Sequence, residues 1–416
     1  MNIYDKAVSI VKKLVENGYT AYFAGGWVRD HVMGHDSNDI DIATNASPNE
    51  ILNLFPKTLQ VGIAFGVVIV IIDSHQFEVA TFRKDIDYSD GRKPESVEYC
   101  NPKEDALRRD FTINGLFYDP LNHEIFDFVN GVKDIKEGVI QTIGSPHERF
   151  VEDRLRMVRA FRFAARFGFF IDSETQQAIF ENAETLFPSV SMERIWQEFN
   201  KMAKSPRFDA AIIEMHRLNL LPIIFPQLKG SHLNDIKKCV LYFQHFPENT
   251  PTILYLAQLF PDATNNDIRN LCRYLHTSRR DINYVDTYFT AKDLIAKEDK
   301  ENGKFDATSW VRYFARNDAI LCLEAVTANY EEAKRNTFLK QHKQRIQDLY
   351  PHINRIVTKK PLVSGKLLLD MGFKAGEKIG DLLDIAEKYA INNDIHETKS
   401  VLEHLKTTKL WQELSS

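Results

Sequence analysis

Gly25-Gly26-Trp27-Val28-Arg29-Asp30-His31-Val32-Met33-Gly34-His35-Asp36-Ser37-Asn38-Asp39-Ile40-Asp41 is the stretch on which the reading of this chain turns. The apolar run Ala21-Tyr22-Phe23-Ala24 leads into the two glycines, an amphipathic segment follows, and a short strand is expected to carry Asp39 and Asp41. Strand side chains alternate between faces, so both carboxylates project together while Ile40 and Ile42 face a core. Two carboxylates side by side repel, and a divalent cation relieves the repulsion; an all-oxygen donor set favours Mg2+. The glycines allow backbone to approach a bulky anion, and the amides of the next helix start, with Arg29, suit phosphate. The stretch reads as a nucleoside-triphosphate site with metal. Taken alone, the same residues also suit a glycine turn and a solvated acidic strand end.

At 416 residues the chain is long enough for two to four domains. No run approaches the ~20 apolar residues of a membrane span, and the start Met1-Asn2-Ile3-Tyr4-Asp5-Lys6 lacks the apolar core of a signal peptide. The four cysteines, Cys100, Cys239, Cys272 and Cys322, are scattered, which argues against zinc and against a disulfide framework and fits a reducing cytoplasm. A net charge of −5 is not that of a protein coated for nucleic acid, so any such partner must bind a local patch. Two patches qualify: the arginines between residues 154 and 166, and the run from Lys334 to Lys360. A solvated helix face is the competing reading, the stronger of the two for the run from Lys334 to Lys360 and the weaker for the arginines.

Along the chain, residues 4–17 have helical spacing in Ala7, Ile10, Val11, Leu14 and Val15 and stop at Gly18. Ser47-Pro48-Asn49-Glu50 forms a capping box. Residues 66–72 and 76–82 read as a hairpin turning at Ser74-His75, which presents Glu78 as a candidate third carboxylate. Residues 83–94 read as a mobile loop, and residues 104–114 as one helix in which Arg109 pairs with Asp110 while Arg108 points elsewhere. Gly144-Ser145-Pro146 marks a change to helical pattern. The run from Phe150 has an apolar stripe, Leu155, Val158, Phe161 and Ala165, and a basic one, Arg156, Arg159, Arg162 and Arg166. With only Glu152 and Asp153 nearby in sequence, this charge calls for an external anion, triphosphate or RNA backbone. Arg194 and Glu198 are spaced for an i,i+4 pair, Ser205-Pro206 for a helix cap, and residues 297–304 for an exposed hinge.

Gly25-Gly26-x-Val28-Arg29-Asp30, Asp39-x-Asp41, Arg108-Arg109-Asp110-Phe111-Thr112-x-Asn114, Glu152-Asp153-x-x-Arg156 and Glu193-Arg194-x-x-x-Glu198 resemble, in order and spacing, the motifs of bacterial class II CCA-adding enzymes, tRNA nucleotidyltransferases of the polymerase β superfamily. The resemblance is close over the first half of the chain. It implies an α+β fold: a nucleotidyltransferase head with a small mixed sheet (1–141), then an all-α neck (142–205), body (206–330) and tail (331–416), with the 3' end of tRNA as partner. It also implies two Mg2+ ions ~4 Å apart on Asp39 and Asp41, acting on ATP and CTP; Glu78, read from the hairpin face, is the candidate third catalytic carboxylate, with an exposed edge-strand Glu as the competing reading. Gly26, Arg29 and Arg109 would contact the nucleotide, and Arg159 and Arg162 would help to hold it.

Asp153 and Arg156 would read the base. Cytosine and adenine each offer an exocyclic amino donor beside a ring-nitrogen acceptor, whereas uracil and guanine offer a carbonyl beside a ring N–H. A carboxylate and a guanidinium therefore fit the first two and oppose the others. The chain departs from the usual pattern at Trp27, where a small residue is common, and in Asp127-Phe128-Val129-Asn130-Gly131. It has no His-Asp phosphohydrolase signature. Residues 83–94, at full length, favour full CCA addition. An A-adding enzyme is the nearest alternative, then a CC-adding enzyme or poly(A) polymerase, and from another class a catalytically silent RNA-binding protein.

Overall fold

A computed structural model describes residues 2–60, 66–86, 96–300, 305–374 and 376–415. The chain divides into two compact units, Met1–Lys238 and Cys239–Ser416. The first begins with α1 (Ile3–Glu16), whose Ala7, Ile10, Val11 and Leu14 are fully buried, as their spacing requires. Next come β1 (Ala21–Ala24), α2 (Gly26–Val32), β2 (Asp41–Thr44), α3 (Pro48–Leu54), β3 (Thr58–Leu59), β4 (Val67–Ile72) and β5 (His75–Thr81). β6 (Arg83–Ile86), β7 (Ser96–Tyr99), α4 (Pro102–Leu107), β8 (Leu116–Asp119), β9 (Glu124–Asp127), α5 (Gly131–Glu137) and β10 (Val139–Ile140) complete the sheet-containing part.

Seven strands form one mixed sheet in the order β3-β4-β5-β2-β1-β8-β9. Within it β2 and β5 are parallel, with Ile42 opposite Val79, so Asp41 and Glu78 flank that pair on neighbouring strands. β1 is antiparallel to β2 with Ala24 opposite Asp41, which puts Gly25 beside the acidic strand end. The register thus gathers the glycine turn and two of the three carboxylates at one end of the sheet's central strands.

Beyond the sheet lie α6 (Pro146–Glu152), α7 (Leu155–Phe167), β11 (Phe170–Ile171), α8 (Ser173–Asn182), α9 (Met192–Met202) and α10 (Phe208–Arg217). Leu155, Val158, Phe161 and Ala165 are buried as predicted. The second unit is helical, from Thr252–Ala257 to Lys409–Ser415, and carries its own core around Leu368, Leu382, Val401 and Leu405. Among the described residues no helix is long and apolar enough to cross a membrane.

Several local expectations are corrected. The hairpin turns at Asp73-Ser74, one residue earlier than predicted, because Asp73 accepts a left-handed φ of 55° and lets Ile72 pair with His75. Residues 83–86 form a strand paired with β7 rather than a loop; residues 87–94 lie outside the described residues. The helix expected over 104–114 ends at Leu107, because Asp110 turns its carboxylate onto the amide of Phe111 and Phe111 goes extended to bridge Thr142. The basic run breaks at Asp153, which ends α6 in extended conformation and caps α7 by accepting from the amide of Leu155 at 3.0 Å. Ser205-Pro206 caps nothing; α10 starts at Phe208 with Arg207 ahead of it. Lys297–Lys300 ends a helix that begins at Arg279, and residues 301–304 lie outside the described residues.

Candidate active site

A cavity of about 840 Å3 opens where the ends of β1 and β2 face α7. It is lined by all ten residues singled out from the sequence: Gly26, Arg29, Asp39, Asp41, Glu78, Arg109, Asp153, Arg156, Arg159 and Arg162. Asp39 precedes β2 instead of lying in it. Its approach is fixed by Trp27, whose Nε1 donates to the carbonyl of Ser37 at 3.1 Å, while the indole stacks on His31 and packs edge-on to Phe23. Trp27, the departure from the family pattern, is thus a buried strut of the head.

Gly25 has φ 65°, and a Cβ there would stand 2.9 Å from Nη1 of Arg109. The left-handed backbone is what favours glycine, while the Arg109 guanidinium passes close over the turn. Arg109 is not paired with Asp110, as the sequence suggested. Buried Asp105 holds Arg108 at 2.7 Å and Arg109 at 3.0 Å, and both arginines line the cavity. Burial alone would raise the Asp105 carboxyl; the two guanidinium groups hold it below its ordinary range.

The basic stripe of α7 is also not left to an external anion. Arg156 pairs with Glu152, Arg159 with Asp110 at 2.5 Å, Arg162 with Glu198 at 2.5 Å and Arg166 with Asp30 at 3.0 Å. Three of these acids come from elsewhere in the chain, which is why sequence proximity missed them. Asp110 is buried, yet Arg159 and Asn114 keep its carboxyl well below the usual range. Arg29, 3% exposed, donates to Asp30 and to Asn114 Oδ1 at 2.6 Å and lies over the Phe167 ring, so it braces the head as well as lining the cavity. The predicted Arg194–Glu198 pair does not form. Arg194 instead holds Asp153, and Glu198 holds Arg162, because α9 packs against α7 and buries Glu198.

Against this paired background, Asp39, Asp41 and Glu78 have no ion-pair partner among the described residues. Burial, then Glu78 and Asp39, push the Asp41 carboxyl up to about 7, opposed by Arg109. The oxygens of all three do not come within 4.8 Å of one another. Among the described residues one grouping of metal-capable side chains, His352, Asp394 and His396 in the second unit, meets that distance. There Arg355, which can only donate, lies 2.8 Å from Nδ1 of His352. The proton of neutral His352 is therefore on Nε2, the nitrogen that faces Asp394, and that atom is a donor in place of a ligand.

Asp30, Asp105, Asn114 and Glu198 were missed from the sequence as site-shaping residues. Asp30, Asn114 and Glu198 stand in the quoted motifs and Asp105 in none, but the partners of all four are fixed by tertiary packing.

A small mixed sheet ending in an acid cluster, faced by a helix of arginines, is the architecture of a nucleotidyltransferase head followed by helices. Residues 21–141 match the family described as "Poly A polymerase head domain", residues 168–231 that described as "Probable RNA and SrmB- binding site of polymerase A", and residues 244–405 that described as "tRNA nucleotidyltransferase domain 2 putative". The chain belongs to the CCA-adding enzyme family. The CCA-adding enzyme of Bacillus licheniformis is 31% identical over 97% of each chain, and that of Ligilactobacillus salivarius 33% identical over 96% of this chain and 95% of its own. In fold, the chain superposes on the Bacillus stearothermophilus CCA-adding enzyme in complex with CTP with a TM-score of 0.80 at 26% identity, covering 98% of each chain. The Thermotoga maritima CCA-adding enzyme complexed with tRNA shares the fold at a TM-score of 0.67 and 21% identity, covering 97% and 94%.

Proposed function

We propose that this chain adds CCA to the 3' end of tRNA, without a nucleic-acid template, from CTP and ATP. The observation that carries the reading is the division of charge in one cavity: three carboxylates without an ion-pair partner among the described residues on one wall, and on the other a helix whose arginines are all held by protein acids. Family membership supports the substrate.

The donor set fits magnesium. Asp39 and Asp41, with Glu78 beside them, offer only oxygen, and a carboxyl raised by burial and then by like charges is one that a divalent cation returns to its anionic form. Two Mg2+ ions bound there would supply activation of the RNA 3'-hydroxyl and neutralisation of the leaving pyrophosphate. Arg109, aimed by Asp105, and the backbone at Gly25-Gly26 orient the phosphates.

Base choice rests on hydrogen-bond capacity. Asp153 Oδ1 accepts from the amide of Leu155 and from Arg194, and Oδ2 accepts from Arg194 alone, which leaves one lone pair for an exocyclic amino group. Arg156 spends three of its donors on Arg149, Glu152 and Arg108, which leaves N–H groups for a ring nitrogen. Both groups are thus oriented yet still able to bind. We assign catalysis to residues 1–141, base recognition to 142–205, and tRNA binding to the body 206–330 and tail 331–416; tRNA as substrate puts the activity in the cytoplasm.

Purified protein, Mg2+ and tRNA transcripts lacking CCA, lacking only the terminal A, or complete, with labelled CTP and ATP supplied separately and together, test the reading. Full CCA addition predicts CMP on the shortest transcript, AMP only after two cytidines, and none on the complete one. AMP on the A-less transcript alone would make it an A-adding enzyme, and long tails on arbitrary RNA a poly(A) polymerase.

A further inference from the structure

We propose that Lys201, Lys204 and Arg166 form a separate subsite for a backbone phosphate of the RNA strand that receives the nucleotide. A second hollow, of about 300 Å3, is lined by Arg162, Arg166, Lys201, Lys204, Ser205 and Pro206. Arg162, Arg166 and Lys201 line the main cavity as well, so the two are continuous.

Its charge is not balanced from within. Glu198 is already held by buried Arg162, and Lys201 reaches it only at 3.7 Å with its side chain 60% exposed. Asp30 is already bound twice by Arg29, and Arg166 shares what remains. Lys204 is exposed and makes no ion pair among the described residues. Two carboxylates, Glu198 and Asp30, thus answer five cations, Arg162 and Arg29 to which they are committed and then Arg166, Lys201 and Lys204, and the surplus sits on Lys201 in the last turn of α9 and Lys204 just beyond it. Lysine at a helix C-terminus is favoured by the dipole, but that preference does not require both to face one hollow with Arg166. Point-charge ammonium groups on long stems suit a backbone that slides as nucleotides are added, whereas the rigid arginines next to them suit fixed recognition.

This inference rests on the proposed transfer to RNA. It is tested by steady-state kinetics of CMP transfer with Lys204→Glu and with the double variant Lys201→Gln, Lys204→Gln, after equal thermal stability to the parent has been checked. The expected result is a rise of about tenfold in KM for tRNA with KM for CTP held within twofold, and a shallower dependence of tRNA affinity on salt, by roughly 0.7 in log–log slope for each phosphate that is no longer neutralised. An unchanged KM for tRNA overturns the subsite. So does a rise confined to KM for CTP, which would give the hollow to the triphosphate. If the unmodified protein transfers no CMP at all, it is the proposed function that fails, and direct tRNA binding by the same variants still tests the subsite.

Discussion

Arg194 holds Asp153 by two hydrogen bonds, Nη2 to Oδ2 at 2.7 Å and Nη1 to Oδ1 at 3.2 Å, across 41 residues of sequence. The carboxylate assigned to reading an amino group is therefore aimed by an arginine of another helix. Asp153→Ala should cut the preference for CTP over UTP, measured as the ratio of kcat/KM values, by about 5- to 150-fold, since each mispaired buried polar group is worth about 1–3 kcal/mol. Arg194→Ala should erode the same ratio less, because it frees the carboxylate without removing it. An Asp153→Ala enzyme with the parental ratio would remove Asp153 from base selection.

Glu198 and Arg162 form a buried pair, at 3% and 9% exposure. Removing one partner leaves an uncompensated charge, so Glu198→Ala should lower unfolding stability by about 3–5 kcal/mol. Glu214→Ala, which breaks the exposed pair with Arg217, should change it by less than about 1 kcal/mol. Denaturant titration separates the two, and comparable losses would contradict the packing described for α7 and α9.

Trp27→Phe keeps an aromatic ring against Phe23 and His31 but deletes the donor to Ser37. Stability should fall by about 1 kcal/mol for the missing hydrogen bond. Turnover should fall further than that loss implies, because the segment that delivers Asp39 is released. Unchanged kcat with reduced stability would restrict Trp27 to packing.

In the second unit, burial pushes the His342 imidazole down to about 4 from 6.5, with Arg345 adding to the effect and Phe338 opposing it. Between those values the unfolded chain binds the proton and the folded one does not, so this group makes stability rise with pH from about 4 to 6.5 and be lost as pH falls through that window. His342→Leu should flatten that part of the profile relative to the parent in urea denaturation. An identical slope in both proteins would mean that His342 does not titrate as described.

How much was legible follows from which signals are local. Ala7, Ile10, Val11 and Leu14 announced their helix by period, and Ser47 with Glu50 announced a capping box that is present. Asp39 and Asp41 were legible because two acids two apart beside a glycine pair are costly without a purpose. The ion pairs were not. Arg194 and Glu198 have the spacing of partners on one helix, yet each is taken by α7 or the residue that caps it, since a neighbouring helix offers burial and better geometry than an exposed i,i+4 pair. Arg109 and Asp110 failed as a pair for a related reason: adjacent side chains diverge, and Asp105 and Arg159 were closer in space. The helix through 104–114 failed because Asp110 competes for backbone amides, which periodicity does not register.

The central claim is that Asp39 and Asp41 are the chemical half of a site whose selective half is on α7. Single-turnover transfer of labelled CMP to tRNA lacking CCA, with tRNA binding measured on the same samples, tests it with Asp41→Ala. Transfer should drop by at least about a thousandfold, as for removal of a metal-binding or charge-stabilising group, with tRNA affinity within a few-fold of the parent. Substantial residual transfer would contradict the claim.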